Sequence, residues 1–341
     1  MSPTSIAVDV MGGDDAPESI LDGVKLALDE YKVRLVLAGP EELIRESFSS
    51  YEATTGSYEI RPASEHIRMD ENPLQGVRKK KDSSLVQAAN SVKEGQTRVL
   101  ISAGNTGAVM ACTKIKWGVR ENVDRPAIAT HLPNREGSYS ILIDSGANVD
   151  CTARQLLQFA MMGVVFSETV TGIENPSVGL LNVGTEVKKG NELVQEAYEL
   201  FEQGPINFHG NVEGSDVLGG TTDVIVCDGF VGNVALKLSE GVARTIFEFM
   251  KEQIDQSVRN KIGGWMLKPA FKQLKKIIDP AEYGGAPLLG LNEGCIICHG
   301  SSSPKAIKNA VRQAMLFIER DCNSEIGNRM NSLNESVTID E

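Results

Sequence analysis

The sequence has no excess of positive charge, no long apolar run and few histidines, and each shortage closes off a class of function. Its 341 residues hold 34 Lys and Arg against 46 Asp and Glu, a net charge of −12. Sequence-independent nucleic-acid binding needs a broadly basic face, so so acidic a chain has to meet any anionic partner through a local basic patch. The longest apolar stretch, Phe159 to Phe166, is far below the roughly 20 residues that span a bilayer. The N-terminus, Met1-Ser2-Pro3-Thr4 before an apolar strand from Ile6 to Val10, has neither a basic region nor a long apolar one. The reading is therefore of a cytosolic protein with its six cysteines reduced. The four histidines, at positions 66, 131, 209 and 299, define no metal cluster by their spacing. No metal or organic cofactor is expected.

Familiar catalytic signatures are missing as well. There is no G-x-x-x-x-G-K-[ST] phosphate loop, no G-x-G-x-x-G after the first strand and no G-x-S-x-G nucleophile elbow. Cys295-Ile296-Ile297-Cys298-His299 does match the C-x-x-C-H pattern of c-type haem attachment. Nothing in the chain points to export and no second ligand pair accompanies it, so the preferred reading is a buried strand in which cysteine serves as a small hydrophobe.

What the chain does have is ordinary globular composition, 41% hydrophobic and 23% charged residues, and a surplus of glycine. The 33 glycines are about 10% of the chain, against a usual ~7%. They fall in a recurring pattern: an apolar β-branched run, a loop of small and polar residues, then an amphipathic helix. Ile6–Val10, Val33–Ala38, Val99–Ser102, Ile141–Asp144, Val178–Asn182, Val224–Cys227 and Cys295–Cys298 each open such a unit. These units predict one α/β domain over residues 1–341, a doubly wound, mostly parallel sheet with helices on both faces. Ligands in such folds bind at the carboxyl ends of strands, where the glycine loops lie. Any one loop is no more than a tight βα turn; five of them, expected to converge on one edge, make a site.

Residues 241–290 depart from the pattern and read as a helical insertion broken by Gly263-Gly264, Pro269 and Gly284-Gly285. Between Asp255 and Asp279 it has no acid, yet it carries Arg259, Lys261, Lys268, Lys272, Lys275 and Lys276. At about 100° per residue the last four share one helical face, with Leu267, Phe271, Leu274, Ile277 and Ile278 on the other. A basic amphipathic segment of this kind suits an anionic membrane surface, and a dimer arm packed by its apolar side suits it equally.

The candidates for chemistry are anion-binding elements. Gly104-Asn105-Thr106-Gly107 and Ser301-Ser302-Ser303 each open a helix, where free N–H groups and the dipole favour a phosphate. Lys188-Lys189 follows Gly184-Thr185, and Asp228 and Asn233 flank a glycine-rich turn at a strand end. Arg78-Lys79-Lys80-Lys81 is a second basic run.

At these positions the chain resembles a known family. Asp9-Val10-Met11-Gly12-Gly13-Asp14, Ser102-Ala103-Gly104-Asn105-Thr106-Gly107-Ala108, Asp144-Ser145-Gly146-Ala147-Asn148-Val149-Asp150, Asn182-Val183-Gly184-Thr185-Glu186, Lys189-Gly190-Asn191-Glu192, Asp228-Gly229-Phe230-Val231-Gly232-Asn233-Val234 and His299-Gly300-Ser301-Ser302 are similar to blocks of the bacterial phosphate acyltransferases of the PlsX type. The likeness runs from Ile6 to about Glu319 with the blocks in order. It implies transfer of a fatty acyl group from acyl carrier protein to inorganic phosphate, yielding acyl phosphate for phospholipid synthesis. It also implies a fold related to phosphotransacetylases and isocitrate-type dehydrogenases, a homodimer associated peripherally with the membrane, and a membrane-bound glycerol-3-phosphate acyltransferase as partner. Asp15 departs from the family's usual His or Asn, and His131 from a Thr-like position.

Phosphate is a competent nucleophile near neutral pH, so attack on a thioester requires positioning and oxyanion stabilisation rather than a protein nucleophile. Phosphate is accordingly assigned to Asn105, Thr106, Ser301, Ser302 and one of Lys188 or Lys189, with Gly104 and Gly107 shaping the loop. Lys189 or Asn233 stabilises the oxyanion, Asp228 orients the lysine or takes a proton, and His299 either protonates the thiolate or is held by the fold. Asp9, Gly12, Gly13, Asp14, Asn148, Gly184 and Thr185 complete the substrate pocket. Acyl carrier protein is acidic, so either Arg78–Lys81 or residues 259–276 can dock it. The rival readings are a CoA-dependent phosphotransacetylase, a nicotinamide-dependent isocitrate-like dehydrogenase and a non-enzymatic membrane scaffold.

Overall fold

The computed structural model describes residues 4–336, the side chains of Lys275, Pro280, Glu335 and Ser336 excepted. In chain order the strands are β1 (Ser5–Asp9), β2 (Arg34–Gly39), β3 (Ser57–Pro62), β4 (Val99–Ser102), β5 (Ala127–Pro133), β6 (Tyr139–Ile143), β7 (Ser177–Leu181), β8 (Asn207–Val212), β9 (Val224–Val226), β10 (Ala286–Leu289) and β11 (Gly294–Ile297). The helices are α1 (Glu18–Glu30), α2 (Glu41–Ser47), α3 (Pro73–Lys79), α4 (Ser84–Lys93), α5 (Thr106–Trp117), α6 (Ala153–Phe166), α7 (Glu192–Gln203), α8 (Gly229–Asp255), α9 (Val258–Ile278), α10 (Pro304–Glu319) and α11 (Cys322–Ser336). Strands β1, β4, β9 and β11 are buried along their whole length, as strands covered on both faces must be.

All eleven strands join one sheet in the order β3-β2-β1-β4-β11-β10-β5-β6-β9-β7-β8. The mostly parallel α/β architecture read from the sequence is the one observed. The direction of its two halves is not. Strands β3, β2, β1, β4 and β11 are mutually parallel, and so are β6, β9, β7 and β8. Between them the pairings β11–β10, β10–β5 and β5–β6 are antiparallel. Three reversals leave the two parallel sets running in opposite directions. The loops after β1, β4 and β11 therefore lie at one edge, and those after β6, β7 and β9 at the other. This corrects the expectation of one shared edge: hydrophobic patterning finds strands but carries no information about their direction.

Side chains alternate across the sheet, and the two faces are covered differently. On one, a continuous core joins Ile6, Val8, Ile141 and Val226 to Leu28 of α1, Phe159 of α6, Phe201 of α7, Ile307 of α10 and Ile326 of α11. The other face carries two separate patches. Leu100, Ile128 and Ile297 pack with Leu85 of α4 and Val109 of α5, whereas Leu132, Leu142 and Ile225 pack with Leu236 of α8. Thr130 lies on this face between Ile128 of one patch and Leu132 of the other and stays half-buried, its hydroxyl 2.7 Å from Ser145 Oγ. The gap between the patches is flanked by α5 and α8.

The helical excursion is a hairpin whose limits differ from the 241–290 read in the sequence. It starts directly after β9, with α8 running 27 residues and α9 returning over 21, and residues 286–289 at its end are a strand of the sheet. Neither Gly263-Gly264 nor Pro269 breaks α9. Proline removes one helical N–H, and the carbonyl it frees belongs to Trp265, which is exposed and open to water. A Cβ on Gly264 would stand 2.7 Å from Ile254, so glycine here lets the two helices approach.

Candidate active site

The first cluster of candidate residues is built from three loops of the parallel set β1, β4 and β11. Asp9 ends β1 and is buried, and it accepts a hydrogen bond from Ser102 Oγ at 2.7 Å. Burial raises the Asp9 carboxyl above its usual range. Ser102 Oγ in turn accepts from the Gly104 N–H at 3.1 Å, so the buried acid sets the path of the Gly104–Thr106 loop. A Cβ at Gly12 would lie 2.7 Å from both Asp9 Oδ2 and the Gly104 nitrogen, which is why the loop after β1 has glycine there. The Asp14 N–H donates to Gly300 O at 2.8 Å, stitching in the third loop.

Two helix N-termini open on this cluster. Asn105 caps α5 by accepting from the Ala108 N–H at 3.1 Å, while its Nδ2 donates to Met69 O at 2.8 Å. Its side chain is occupied, so Asn105 can meet a ligand only through its backbone. Thr106 is exposed, and Gly107 packs on Pro73. Ser303 caps α10, with Pro304 in its first turn. Ser302 is buried, its carbonyl accepting from Ser19 Oγ at 2.6 Å, and Ser301 is exposed with Oγ 2.9 Å from His299 Nδ1.

The second cluster lies at the other edge. Asp144 is buried, and its carboxylate accepts from the N–H groups of Ile128, Gly146, Ala147 and Asn148 and from Asn148 Nδ2 at 2.9 Å. Burial raises its carboxyl despite these bonds. Asn148 also donates to Pro126 O at 2.8 Å and is buried, so its amide helps to hold this loop. Asp228 caps α8 by accepting from the Val231 N–H at 2.9 Å. A Cβ at Gly232 would stand 1.9 Å from Asp144 O, so the first turn of α8 is seated directly on this loop. Asn233 is exposed and faces Gly146. Gly184 is buried, whereas Thr185, Lys188 and Lys189 are exposed; the Lys189 carbonyl accepts from Asn182 Nδ2 at 3.0 Å.

The structure thus does not put Lys188 or Lys189 in hydrogen-bond contact with Asn105, Thr106, Ser301 or Ser302. The link between clusters is α8, and the residue that makes it is one that sequence reasoning missed. Lys237 Nζ stands 3.3 Å from His299 Nε2 and 2.9 Å from Glu240. An ammonium can only donate, so Nε2 accepts from Lys237, while Nδ1 lies 2.9 Å from Ser301 Oγ and accepts from the Ser301 N–H at 3.3 Å. Asn233 and Lys237, four apart, share one face of the helix, about 6 Å apart along its axis. That spacing was the available signal.

No cysteine is poised as a nucleophile. Burial pushes the thiols of Cys112, Cys298 and Cys322 up to about 12 and that of Cys151 to about 11, and it raises Cys227 and Cys295 too. Cys295 and Cys298 pack into the cores on opposite faces of the sheet, so the C-x-x-C-H spelling does not bring the two thiols to one group. Of the basic run, Arg78, Lys79 and Lys81 are exposed, while Lys80 is paired with Glu71 and donates to His66 O at 2.8 Å.

A family profile described as "Fatty acid synthesis protein" matches residues 4–325. The phosphate acyltransferase of Desulfitobacterium hafniense (strain DSM 10664 / DCB-2) is 48% identical over 322 residues, covering 94% of this chain and 96% of that one. That of Pelotomaculum thermopropionicum is 48% identical over 328 residues, covering 96% and 95%. The chain belongs to the phosphate acyltransferase family. It is an acyltransferase, and the scaffold and dehydrogenase readings fall away. The fold of the family is shared with a phosphotransacetylase from Streptococcus pyogenes, which superposes with a TM-score of 0.62 at 17% identity, covering 93% of this chain and 94% of that one. Among the described residues no helix is long and apolar enough to cross a membrane.

Proposed function

We propose that this acyltransferase moves a fatty acyl group from acyl carrier protein to inorganic phosphate, forming acyl phosphate for phospholipid synthesis. The observation that carries this reading is the meeting of the two clusters along the first turns of α8, where Lys237 touches His299 and Asn233 faces Gly146. Phosphate sits against the N-termini of α5 and α10, held by backbone N–H groups, the Ser301 hydroxyl and Lys237. The thioester carbonyl lies towards Asn233 and Lys189, which stabilise the oxyanion as it forms. A phosphate oxygen attacks the carbonyl carbon, the C–O bond forms, the C–S bond breaks, and the thiolate leaves with a proton delivered through His299. Asp228, engaged as a helix cap, orients rather than transfers protons. The raised, buried thiols favour direct attack over an acyl-enzyme.

The exposed cations Arg78 and Lys79 end α3 and Lys81 follows it, and α3 packs on α5 beside the Asn105 loop, so they are the docking surface for the acidic carrier protein. Residues 259–276 lie on the hairpin. Its helix α8 exposes Val234, Leu238, Val242, Ile246 and Phe249, and α9 exposes Ile262, Trp265, Met266, Leu267, Leu274 and Ile277. So large an apolar surface marks a protein or lipid contact. It serves a homodimer and an anionic membrane, where a membrane-bound glycerol-3-phosphate acyltransferase consumes the product; Lys268, Lys272 and Lys276 are exposed beside half-buried Phe271 and Ile278. The side chain of Lys275 lies outside the described residues.

The test is incubation of the purified protein with phosphate and either acyl carrier protein or CoA thioesters. Acyl phosphate, trapped as hydroxamate, is expected with the carrier-protein donor at the higher kcat/KM. Preference for the CoA donor assigns the phosphotransacetylase reading, and capture of labelled acyl-enzyme rules out direct attack.

A further inference from the structure

Beside Lys189 and Asp228, at the edge where β7 and β9 end, is a cavity of about 320 Å³. That is the small end of the range, roughly 300–1,000 Å³, in which small-molecule sites fall. Its walls are Leu156 of α6, Leu180 and Leu181 of β7, Val194 of α7, and Cys227 and Val231 around the start of α8. Leu156 and Leu180 are fully buried and form its inner side, while Val231 is 40% exposed at the mouth.

Several of the polar groups on its rim are engaged in holding the fold. Asn182 donates to Lys189 O at 3.0 Å and accepts from the Val183 N–H at 2.7 Å. Asn191 caps α7 by accepting from the Val194 N–H at 3.0 Å, and Asp228 caps α8. An entering ligand therefore meets hydrocarbon and few free hydrogen-bonding groups.

We propose that this cavity receives the fatty chain of the acyl donor and sets which chain lengths react. The inference rests on the reading above, in which the thioester carbonyl lies at Lys189 and Asn233, because Gly190 and Asp228 belong both to that corner and to the cavity wall. The donor's other long arm, carrying amides, would lose hydrogen bonds to water here without replacing them. A hydrocarbon chain loses none and gains the burial. The chain then enters between β7 and α7 while the phosphate approaches from the side of α5 and α10, so the two substrates do not compete for one path.

Val194→Phe and Val231→Phe narrow the cavity from different walls, and melting temperatures identify which variants fold. Acyl phosphate formation is measured with palmitoyl and butyryl donors. The ratio of kcat/KM for palmitoyl over butyryl is expected to fall at least about tenfold in each folded variant. An unchanged ratio in a folded variant overturns the proposal. Titration with cis-parinaric acid, a fluorescent fatty acid, needs no turnover. Saturable binding by the unmodified protein that the variants lose supports the cavity as a chain site, and equal binding by all overturns it. If the unmodified protein forms no acyl phosphate from any donor, the functional reading fails, and this titration decides the cavity separately.

Discussion

In the proposed reaction Lys189 acts from the loop after β7 and Lys237 from helix α8, so their loss should read differently. Lys189→Ala is expected to lower kcat by about 10²–10³, the range for removal of one oxyanion-stabilising group, with the KM for phosphate changing much less. Lys237→Ala should instead raise the KM for phosphate, since its ammonium lies on the His299–Ser301 side. Steady-state kinetics at varied phosphate separates the two; a near-normal kcat in Lys189→Ala would sink the oxyanion assignment. His131 makes a prediction about stability. Its imidazole stacks on Tyr283 and meets Tyr139 and Phe166 edge-on, its Nδ1 has no hydrogen-bond partner, and burial lowers its pKa from 6.5 to about 4. Between those values the unfolded chain takes up a proton that the folded one refuses, so stability falls as pH drops from about 6.5 towards 4. His131→Phe, which keeps a ring in the cluster, should flatten that part of the melting-temperature profile. Equal slopes for both proteins would remove His131 as the cause.

Helix ends do the positioning here, and most of them are visible as residue types. Asn105, Asp228 and Ser303 stand where caps are expected, and each accepts from the backbone N–H three residues on. What capping chemistry does not disclose is how much of a cap's side chain is left for a ligand: both ends of the Asn105 amide are engaged, whereas the Asp228 cap uses one carboxylate oxygen. The seat of α8 on the Asp144 loop is equally hidden, because it depends on a contact between residues far apart in the chain. Gly232→Ala would force a Cβ to within 1.9 Å of Asp144 O. It is expected to cost more than about 2 kcal/mol and to displace Asn233, lowering melting temperature and activity together. A stable, active variant would show that the loop yields. On the hairpin, Leu274→Glu with Ile278→Glu should release the protein from anionic vesicles while acyl phosphate formation in solution continues; unchanged vesicle binding assigns that face to protein packing.

The charge of the whole molecule is an average over unlike parts. Against a net −12, Arg78 and Lys79 at the end of α3 and Lys81 just after it form an exposed positive patch, with Lys80 paired with Glu71. Attraction between such a patch and an acidic carrier protein is screened by salt, with a Debye length of about 10 Å at 0.1 M. Reversing Arg78 and Lys81 to Glu should raise the KM for the carrier-protein donor roughly tenfold at low salt and weaken its salt dependence, with kcat retained. A KM that still climbs steeply with salt would move docking to another surface, with residues 259–276 the next to test. The long hairpin adds a second distinction of scale. At 1.5 Å per residue α8 is about 40 Å long, so its far end lies well away from Asn233 and Lys237 at its start.

Composition and pattern alone were enough to establish an α/β sheet with helices on both faces, glycine loops at strand ends, helix N-termini suited to an anion and a basic amphipathic excursion. These are local properties, set by burial periodicity, backbone freedom and capping, and they survive any arrangement of the elements. The arrangement itself was decided by long-range pairing. Antiparallel β5 and β10 turn one half of the sheet against the other, place Lys189 and Asn105 at opposite edges, and leave α8 to carry Lys237 to His299. The apolar cavity beside Asp228 exists for the same reason: its walls come from α6, β7, α7 and α8, which only the packed sheet brings together.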